Sequence, residues 1–114
     1  MDFSKISDII EDLTQGRMVI IIDDEDRENE GDLVVASEFA DKDSINFMIK
    51  HGKGLVCVPM EGQRLDELGL HPMFEDNEDP YRTAWAISVD ARHGVHTGIS
   101  AHDRALTVKT LINP

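Results

Sequence analysis

The sequence predicts a layered α/β or α+β domain. Stretches with apolar residues at helical spacing alternate along the chain with short runs of β-branched residues, and this interleaving favours a layered arrangement of helices and strands. The chain has 114 residues, which is enough for one small domain and too few for two. An apolar fraction of 40% is ordinary for a globular protein, so a disordered chain is excluded.

The first predicted elements are a helix and two strands. Ser4 is a candidate N-cap, Gly16 a candidate stop, and the residues between them have the apolar spacing of an amphipathic helix. Met18–Ile22 then reads as a buried strand, and a second strand is expected near Leu33–Ala36. The apolar positions of the helix are Ile6, Ile9, Ile10 and Leu13.

The middle of the chain predicts a helix, a strand and a short helix. Asp43 or Ser44 can cap a helix that stops near Gly52. Residues 54–58 read as a short strand ended by Pro59, and Arg64–Leu68 as a short helix before a glycine. The apolar positions of the longer helix are Ile45, Met48 and Ile49.

The last third predicts a strand between two loops and then a helix. Residues 71–80 contain few apolar residues and read as a loop, and residues 90–98 form a second loop. Between them, Thr83–Val89 is rich in β-branched and aromatic residues, as strands are. A final helix is expected after Ser100, with apolar residues at Ala101, Ala105, Leu106, Val108 and Leu111.

Charge and cysteine content exclude several functions. The net charge is −12, which argues against binding to nucleic acid or to an anionic membrane surface. No apolar run is long enough to span a membrane, and the N-terminus does not resemble a signal peptide. Cys57 is the single cysteine, so no internal disulfide can form and a cytoplasmic location is expected.

An acidic run is the first place to look for chemistry. Seven of the ten residues in Asp23–Asp32 are carboxylates, and β-branched stretches flank the run. Flanking strands would hold the carboxylates in one loop, where a divalent cation, a proton or a cationic partner must relieve their repulsion. A solvated turn is the more common interpretation of an acidic run, but Arg27 and the turn-forming Gly31 weaken it here.

Two metal-binding interpretations of the run remain. Residues 26–32 imitate the start of an EF-hand calcium loop, but position twelve is Ser37 where a glutamate is required, and the flanks read as strands. The alternative is an enzyme site in which magnesium takes one or two carboxylates, a polyol substrate completes its shell, and remaining carboxylates act as bases.

The other polar candidates have structural explanations. Cys57 ends an apolar strand, where a lone cysteine is usually a small core residue. His51 suits a helix C-terminus. Ser100 and Asp103 resemble a capping box at the start of the last helix, whose N-terminus could also bind an anion. The remaining histidines have no metal-ligand spacing and are expected at the surface: His71, His93, His96 and His102.

Four stretches of the chain form a set of motifs: Asp23–Leu33, His51–Pro59, Ser88–Arg92, and Thr97–Ala101 with Asp103–Ala105. In this set the sequence resembles the 3,4-dihydroxy-2-butanone 4-phosphate synthase family of riboflavin biosynthesis. The acidic segment closely resembles the family signature. The three further stretches agree in order and spacing, and the resemblance covers nearly the whole chain.

The resemblance implies a lyase that converts ribulose 5-phosphate to 3,4-dihydroxy-2-butanone 4-phosphate and formate. It implies magnesium as the cofactor, with manganese as an alternative ion, and a homodimer with shared active sites. The implied fold is α+β, a mixed β-sheet flanked by helices. The partner is therefore a small sugar phosphate, with neither nucleic acid nor membrane involved.

The resemblance also implies roles for individual residues. Arg27 and Glu28 contact the substrate, and Glu28 also binds the metal. Asp32 matches the substrate-binding aspartate of the family and is a candidate catalytic carboxylate. The other pocket-lining candidates are Glu30, Cys57 and Thr97, of which Glu30 and Cys57 are assigned to catalysis and Thr97 to substrate binding.

The sequence departs from the family pattern in two local substitutions and in length. His96 stands where threonine is common, and Trp85-Ala86 replaces a usual Phe-Thr pair. The family domain is about twice as long, so residues 1–114 are expected to form the N-terminal part of one truncated synthase domain. Alone, this part is expected to be inactive. The alternative is a non-catalytic fragment that binds magnesium and sugar phosphate or mediates oligomerisation.

Overall fold

The fold is α+β, as predicted. The computed structural model describes residues 2–114. Within that range the strands form one two-stranded antiparallel sheet, so the mixed sheet expected from the resemblance is not formed by these residues. In chain order the elements are α1 (Ile6–Thr14), β1 (Val19–Ile22), β2 (Gly31–Val34), a 3₁₀ turn (Ser37–Phe39), α2 (Lys42–Phe47) with a π-helical continuation (Met48–Gly52), α3 (Gly62–Leu68) and α4 (Ala101–Ile112).

Contacts divide the chain into two compact units. The first contains the chain up to Val56 together with Asp90–Pro114, and the second contains Cys57–Val89. In the first unit, α2 packs against α4, and the buried apolar residues come mainly from these helices and the segments beside them. Those residues are Val19, Ala40, Ile45, Ala91, Ala105 and Val108.

Helix α1 forms where the apolar spacing predicts it. Its N-cap is Lys5, whose side chain makes no capping hydrogen bond, so the expected cap at Ser4 is wrong by one residue. The helix ends at Thr14, and Arg17 folds back to form an ion pair with Asp12 at 2.6 Å.

Strands β1 and β2 form an antiparallel hairpin in which Val19 pairs with Val34 and Ile22 with Gly31. The expectation of a buried first strand is wrong: Val19 is buried, but Ile20, Ile21 and Ile22 are 64%, 45% and 47% exposed. A β-branched run favours strand backbone whether or not other residues pack on it. The residue pattern alone therefore did not reveal that these side chains are exposed.

The second predicted helix is present with a different cap. Asp41 is the N-cap, and it forms a reciprocal capping box with Ser44. The helix then continues as a π-helical turn to Gly52, near the expected stop. His51 lies in this last turn with its ring centroid 4.5 Å from that of Phe47, which agrees with a structural role.

The second unit contains one regular helix. Helix α3 ends at Leu68, before a glycine, as the sequence predicted. Gly69 follows it in the left-handed conformation that glycine tolerates best. The predicted strand Thr83–Val89 is wrong, because residue 86 makes a single isolated bridge to Pro72. Proline has no N–H to extend a ladder. The predicted strand at residues 54–58 is also wrong. The apolar run there indicated a preference for extended backbone, but no neighbouring strand pairs with it.

No helix within residues 2–114 has the length and apolar character needed to cross a membrane.

Candidate functional site

The acidic run forms the loop that connects β1 to β2. The Asp23 N–H donates to the Glu30 carbonyl oxygen at 3.2 Å and extends the hairpin by one step beyond the strands. Inside the loop, the Arg27 N–H donates to the Asp24 carbonyl oxygen at 3.0 Å, which closes a turn. The antiparallel pairing of the strands therefore fixes both ends of the loop, as the flanking β-branched runs predicted.

Asp23 holds the interior of the loop. Its carboxylate accepts hydrogen bonds from the backbone N–H groups of Glu30 at 2.8 Å and Glu28 at 3.1 Å. It also accepts one from the Arg27 guanidinium at 3.0 Å. The Glu30 N–H, followed by the Glu28 N–H and Arg27, lowers the pKa of Asp23 against the opposing effect of partial burial.

Arg27 neutralises part of the acidic charge from within the loop. Its guanidinium lies 3.0 Å from Asp23 and 3.2 Å from the Glu28 carboxylate. The hydrogen bond to Asp23 and then the charge of Glu28 raise the pKa of Arg27 above its already high value. The repulsion in the run is thus relieved in part by the arginine in its middle, and Arg27 and Glu28 are brought into direct contact.

The described residues do not assemble a complete metal site. Within residues 2–114, no group of three or more His, Cys, Asp or Glu side chains is arranged to hold an ion. Asp23 is committed to the loop's own donors. The EF-hand interpretation is wrong because strands, not helices, flank the loop.

A second loop, residues 90–98, lies against helix α4 in the same unit. Thr97 is an exposed residue near the end of this loop. The Asp103 carboxylate of α4 is 2% exposed, and its Oδ2 accepts hydrogen bonds from the His96 N–H at 3.0 Å and the Gly98 N–H at 3.1 Å. These two bonds bracket Thr97.

The expected capping box at α4 forms by half. The Ser100 hydroxyl accepts a hydrogen bond from the Asp103 N–H at 3.0 Å, as predicted. The reciprocal hydrogen bond from the Ser100 N–H to the Asp103 carboxylate does not form, and this carboxylate accepts from the N–H groups of the preceding loop. The His96 N–H, with smaller contributions from His102, Gly98 and Ser100, lowers the pKa of Asp103 despite its burial.

Gly98 is required by the way the loop closes. It is buried and has a φ of +78°, a left-handed conformation that disfavours any side chain. A Cβ at this position would overlap with the carboxylate of Asp90. The close approach of Asp90 to the backbone at residue 98 therefore depends on glycine.

The remaining predicted site residues are spread over both units. Glu30 and Asp32 are exposed, and Asp32 lies in β2 paired with Ile21. Cys57 begins the second unit and is exposed, so the expectation of a small core residue is wrong. The predicted surface positions of the four dispersed histidines are confirmed: His71, His93, His96 and His102.

The organising roles of Asp23 and Asp103 were not predicted. An Asp directly after a β-branched run and before a turn is a signal for side-chain bonding to nearby N–H groups, and it could have identified Asp23. Asp103 was recognised as part of a cap, but its hydrogen bonds to residues 96 and 98 depend on how the loop turns before the helix, which residue types alone do not specify.

Comparison with known families decides the relationship. Residues 7–114 match the family model described as 3,4-dihydroxy-2-butanone 4-phosphate synthase. The chain belongs to this family. The resemblance carried by the acidic segment and the three further stretches is thereby confirmed.

Individual relatives agree with the family match. A 3,4-dihydroxy-2-butanone 4-phosphate synthase from Neisseria meningitidis serogroup B is 52% identical over 97% of this chain and 31% of its own length. The riboflavin biosynthesis protein RibBA of Aquifex aeolicus is 52% identical over 98% of this chain and 28% of its own length.

The solved structures show the same fold. A crystal structure of 3,4-dihydroxy-2-butanone 4-phosphate synthase in complex with two magnesium ions is 43% identical in sequence, with a TM-score of 0.94. The match covers 98% of this chain and 52% of the chain in that structure. The Candida albicans synthase is 42% identical with a TM-score of 0.85 and is covered over 55% of its length. The chain thus spans about a third of these curated relatives and about half of these solved chains.

Proposed function

We propose that this chain supplies the acidic-loop part of a synthase site that converts ribulose 5-phosphate to 3,4-dihydroxy-2-butanone 4-phosphate and formate. The observation that carries the proposal is the hairpin loop in which Asp23 fixes the backbone of Glu28 and Glu30, in a chain that belongs to the synthase family. Residues 1–114 would then form one part of a single synthase domain.

The proposed chemistry begins with enolisation of the sugar phosphate. A carboxylate must remove the proton from a carbon next to the carbonyl group, and Asp32 or Glu30 supplies this base. Arg27 donates to a sugar oxygen with the guanidinium that Asp23 and Glu28 orient. Thr97 contributes a hydroxyl to the substrate. Cys57 is a proposed catalytic residue on the strength of the family motif alone.

Magnesium is the proposed cofactor, with manganese as an alternative ion. Glu28 would be the carboxylate ligand from this chain, and the bound ion would stabilise negative charge that develops on the substrate oxygen. Because no group of three or more ligand side chains is arranged for an ion within residues 2–114, the affinity of this chain alone for magnesium should be low. Magnesium-dependent amide shifts measure it, and sub-micromolar binding, on the order of a calcium buffer site, would contradict the expectation.

Formate release from ribulose 5-phosphate tests the proposal. The chain alone should release none, because groups that act as one catalytic unit fail together when some are missing. When the chain is combined with the part of the Neisseria meningitidis synthase that it does not cover, formate should be released. Release by the chain alone would contradict the division of the site, and no release by the combination would contradict the proposed function.

A matched pair of variants then tests the role of Glu28. In the combined protein, Glu28→Gln should abolish turnover, since the amide retains the shape but lacks the negative charge that the metal requires. Glu38→Gln, at an exposed position in the 3₁₀ turn after β2, should leave turnover unchanged. If both variants lose activity equally, the assignment of Glu28 as the metal ligand is wrong.

A second candidate function is binding and oligomerisation without catalysis. Exposed isoleucines on β1 favour it, because exposed strand residues and apolar patches promote association. We propose a homodimer in the cytoplasm for either function. Sedimentation at several concentrations should show a dimer or larger species, whereas a strictly monomeric chain that unfolds cooperatively would contradict both the association and the incomplete domain.

A further inference from the structure

We infer that Asp103 is a positioning residue that fixes the backbone carrying Thr97 for substrate binding; this inference rests on the function proposed above for Thr97. Asp103 lies in the first turn of α4 and is buried, so its carboxylate is not a solvated surface charge. A buried carboxylate is costly unless hydrogen bonds satisfy it. Here the donors that satisfy it are the backbone groups on either side of Thr97.

The geometry limits the motion of Thr97 itself. The N–H groups of His96 and Gly98 converge on one oxygen, Oδ2 of Asp103, at 3.0 and 3.1 Å. The Gly98 N–H belongs to the peptide plane that follows Thr97, and the His96 N–H belongs to the plane that precedes His96. One atom therefore holds both ends of the segment that contains residues 96 and 97, which restricts the backbone angles of these two residues. Gly98 closes the turn in a left-handed conformation under the carboxylate of Asp90.

Helix α4 anchors the other end of the same loop separately. The Thr107 hydroxyl accepts a hydrogen bond from the Ala91 N–H at 2.9 Å and donates one to the Asp103 carbonyl oxygen at 3.1 Å. Thr107 lies one helical turn after Asp103 and is also buried. The loop is therefore attached to α4 at its beginning by Thr107 and at its end by Asp103, and the two anchors can be removed independently.

The position of the loop depends on the acceptor oxygen Oδ2 of Asp103 more than on the negative charge of its carboxylate. Both loop bonds go to Oδ2, while Oδ1 faces the exposed His102 ring at 3.4 Å. An asparagine can place its carbonyl oxygen at Oδ2 and its NH₂ group toward His102. Asp103→Asn should therefore preserve the position of Thr97, whereas Asp103→Ala removes the acceptor.

The direct test is the conformation of Thr97, measured on this chain by NMR. In Asp103→Ala, the backbone coupling constants of Thr97 should become averaged, and the amides of residues 96 and 98 should lose protection from exchange. Asp103→Asn should retain both properties. Thr107→Val, the matched control at the other anchor, should expose the amide of residue 91 but leave Thr97 fixed. Unchanged Thr97 couplings in Asp103→Ala, or the same averaging in Thr107→Val, would overturn the inference.

The consequence for binding is tested with ribulose 5-phosphate. Asp103→Ala should weaken its affinity by about tenfold, the equivalent of one hydrogen bond, with near-complete rescue in Asp103→Asn. In a Thr97→Ala background the same substitution should have little further effect, because Asp103 acts through Thr97. Additive losses would overturn the inference. If the unaltered chain and the combined protein both bind no ribulose 5-phosphate, the proposed function fails, and the Thr97 couplings still decide whether Asp103 positions this residue.

Discussion

The acidic loop and the loop at residues 90–98 are each held by an aspartate carboxylate, at exposed residues in the first loop and at a buried aspartate in the second. In each loop, one aspartate carboxylate accepts hydrogen bonds from two backbone N–H groups. Asp23 accepts from residues 28 and 30, and Asp103 accepts from residues 96 and 98. Asp23 belongs to its own loop and shares its charge with the exposed Arg27. Asp103 projects from a helix and is buried.

This difference separates a loop that can adjust from one that is anchored. The bonds of the acidic loop lie at exposed residues and are open to water and ions, so salt and ligands can change them. The bonds of the 90–98 loop join it to α4 in the packed part of the unit, so the loop can change only if that packing changes. Residues proposed to meet a metal lie in the adjustable loop, and Thr97 lies in the anchored one.

The largest expected effect comes from adding a methyl group to each loop's closing glycine. Gly98→Ala should destabilise the chain by about 3 kcal/mol or more, through overlap with Asp90 and the left-handed backbone. In Gly31→Ala, at the start of β2, the new methyl group would meet Ile20 at 3.5 Å, an ordinary contact, so the loss should be below about 0.5 kcal/mol. Urea unfolding measures both, and similar losses would remove the distinction between the two loops.

A smaller effect is expected in acid. Both aspartates have a folded-state pKa below the ordinary value of 3.8, so each stabilises the fold at higher pH. That contribution is lost as the pH falls below the unfolded-state value and through the lowered folded-state pKa. Asp103→Asn and Asp23→Asn should each flatten the acid limb of stability against pH, measured by urea midpoints from about pH 5 to pH 2. An acid limb as steep in either variant as in the unaltered chain would contradict the corresponding carboxylate interaction.

The smallest expected effect is on salt dependence. At about 1 M salt the Debye length falls to about 3 Å, which screens exposed pairs such as Arg27 with Asp23. The pKa of Asp23 should rise slightly with salt or in Arg27→Gln, whereas its backbone donors should keep it below the ordinary value. The pKa of Asp103 should respond less to salt. Carbon-13 titration of the carboxyl groups measures both, and an equal response to salt would contradict the contrast.

The sequence predicted the helices better than the strands for a physical reason. Helices α1, α3 and α4 make their hydrogen bonds within the segment, so local spacing and stop residues were informative. A strand requires a partner, and the β-branched run Thr83–Val89 has one isolated bridge at Ala86. The same limit explains the exposed Ile20–Ile22, because burial depends on what covers a strand.

The candidate site was predictable as a motif but not as a mechanism of positioning. The spacing of acidic residues between two strands correctly located the loop, and Arg27 was expected to lower its charge density. The commitment of Asp23 to N–H groups five and seven residues away depends on the turn geometry that forms between the strands. Asp103 bonds to residues five and seven positions before it, so its partners depend on the turn that the chain makes as it enters α4.

We propose that the acidic loop and Thr97 together bind the sugar phosphate. A per-residue NMR titration decides between binding at these residues and binding elsewhere. Ribulose 5-phosphate with excess magnesium should shift the amides of Arg27, Glu28 and Thr97. The acidic segment at residues 75–79 of the second unit is an internal control for non-specific ion binding, and it should shift with magnesium alone and not further with the sugar phosphate. Sugar-phosphate shifts confined to residues 75–79, or absent from the acidic loop and Thr97, would contradict the claim.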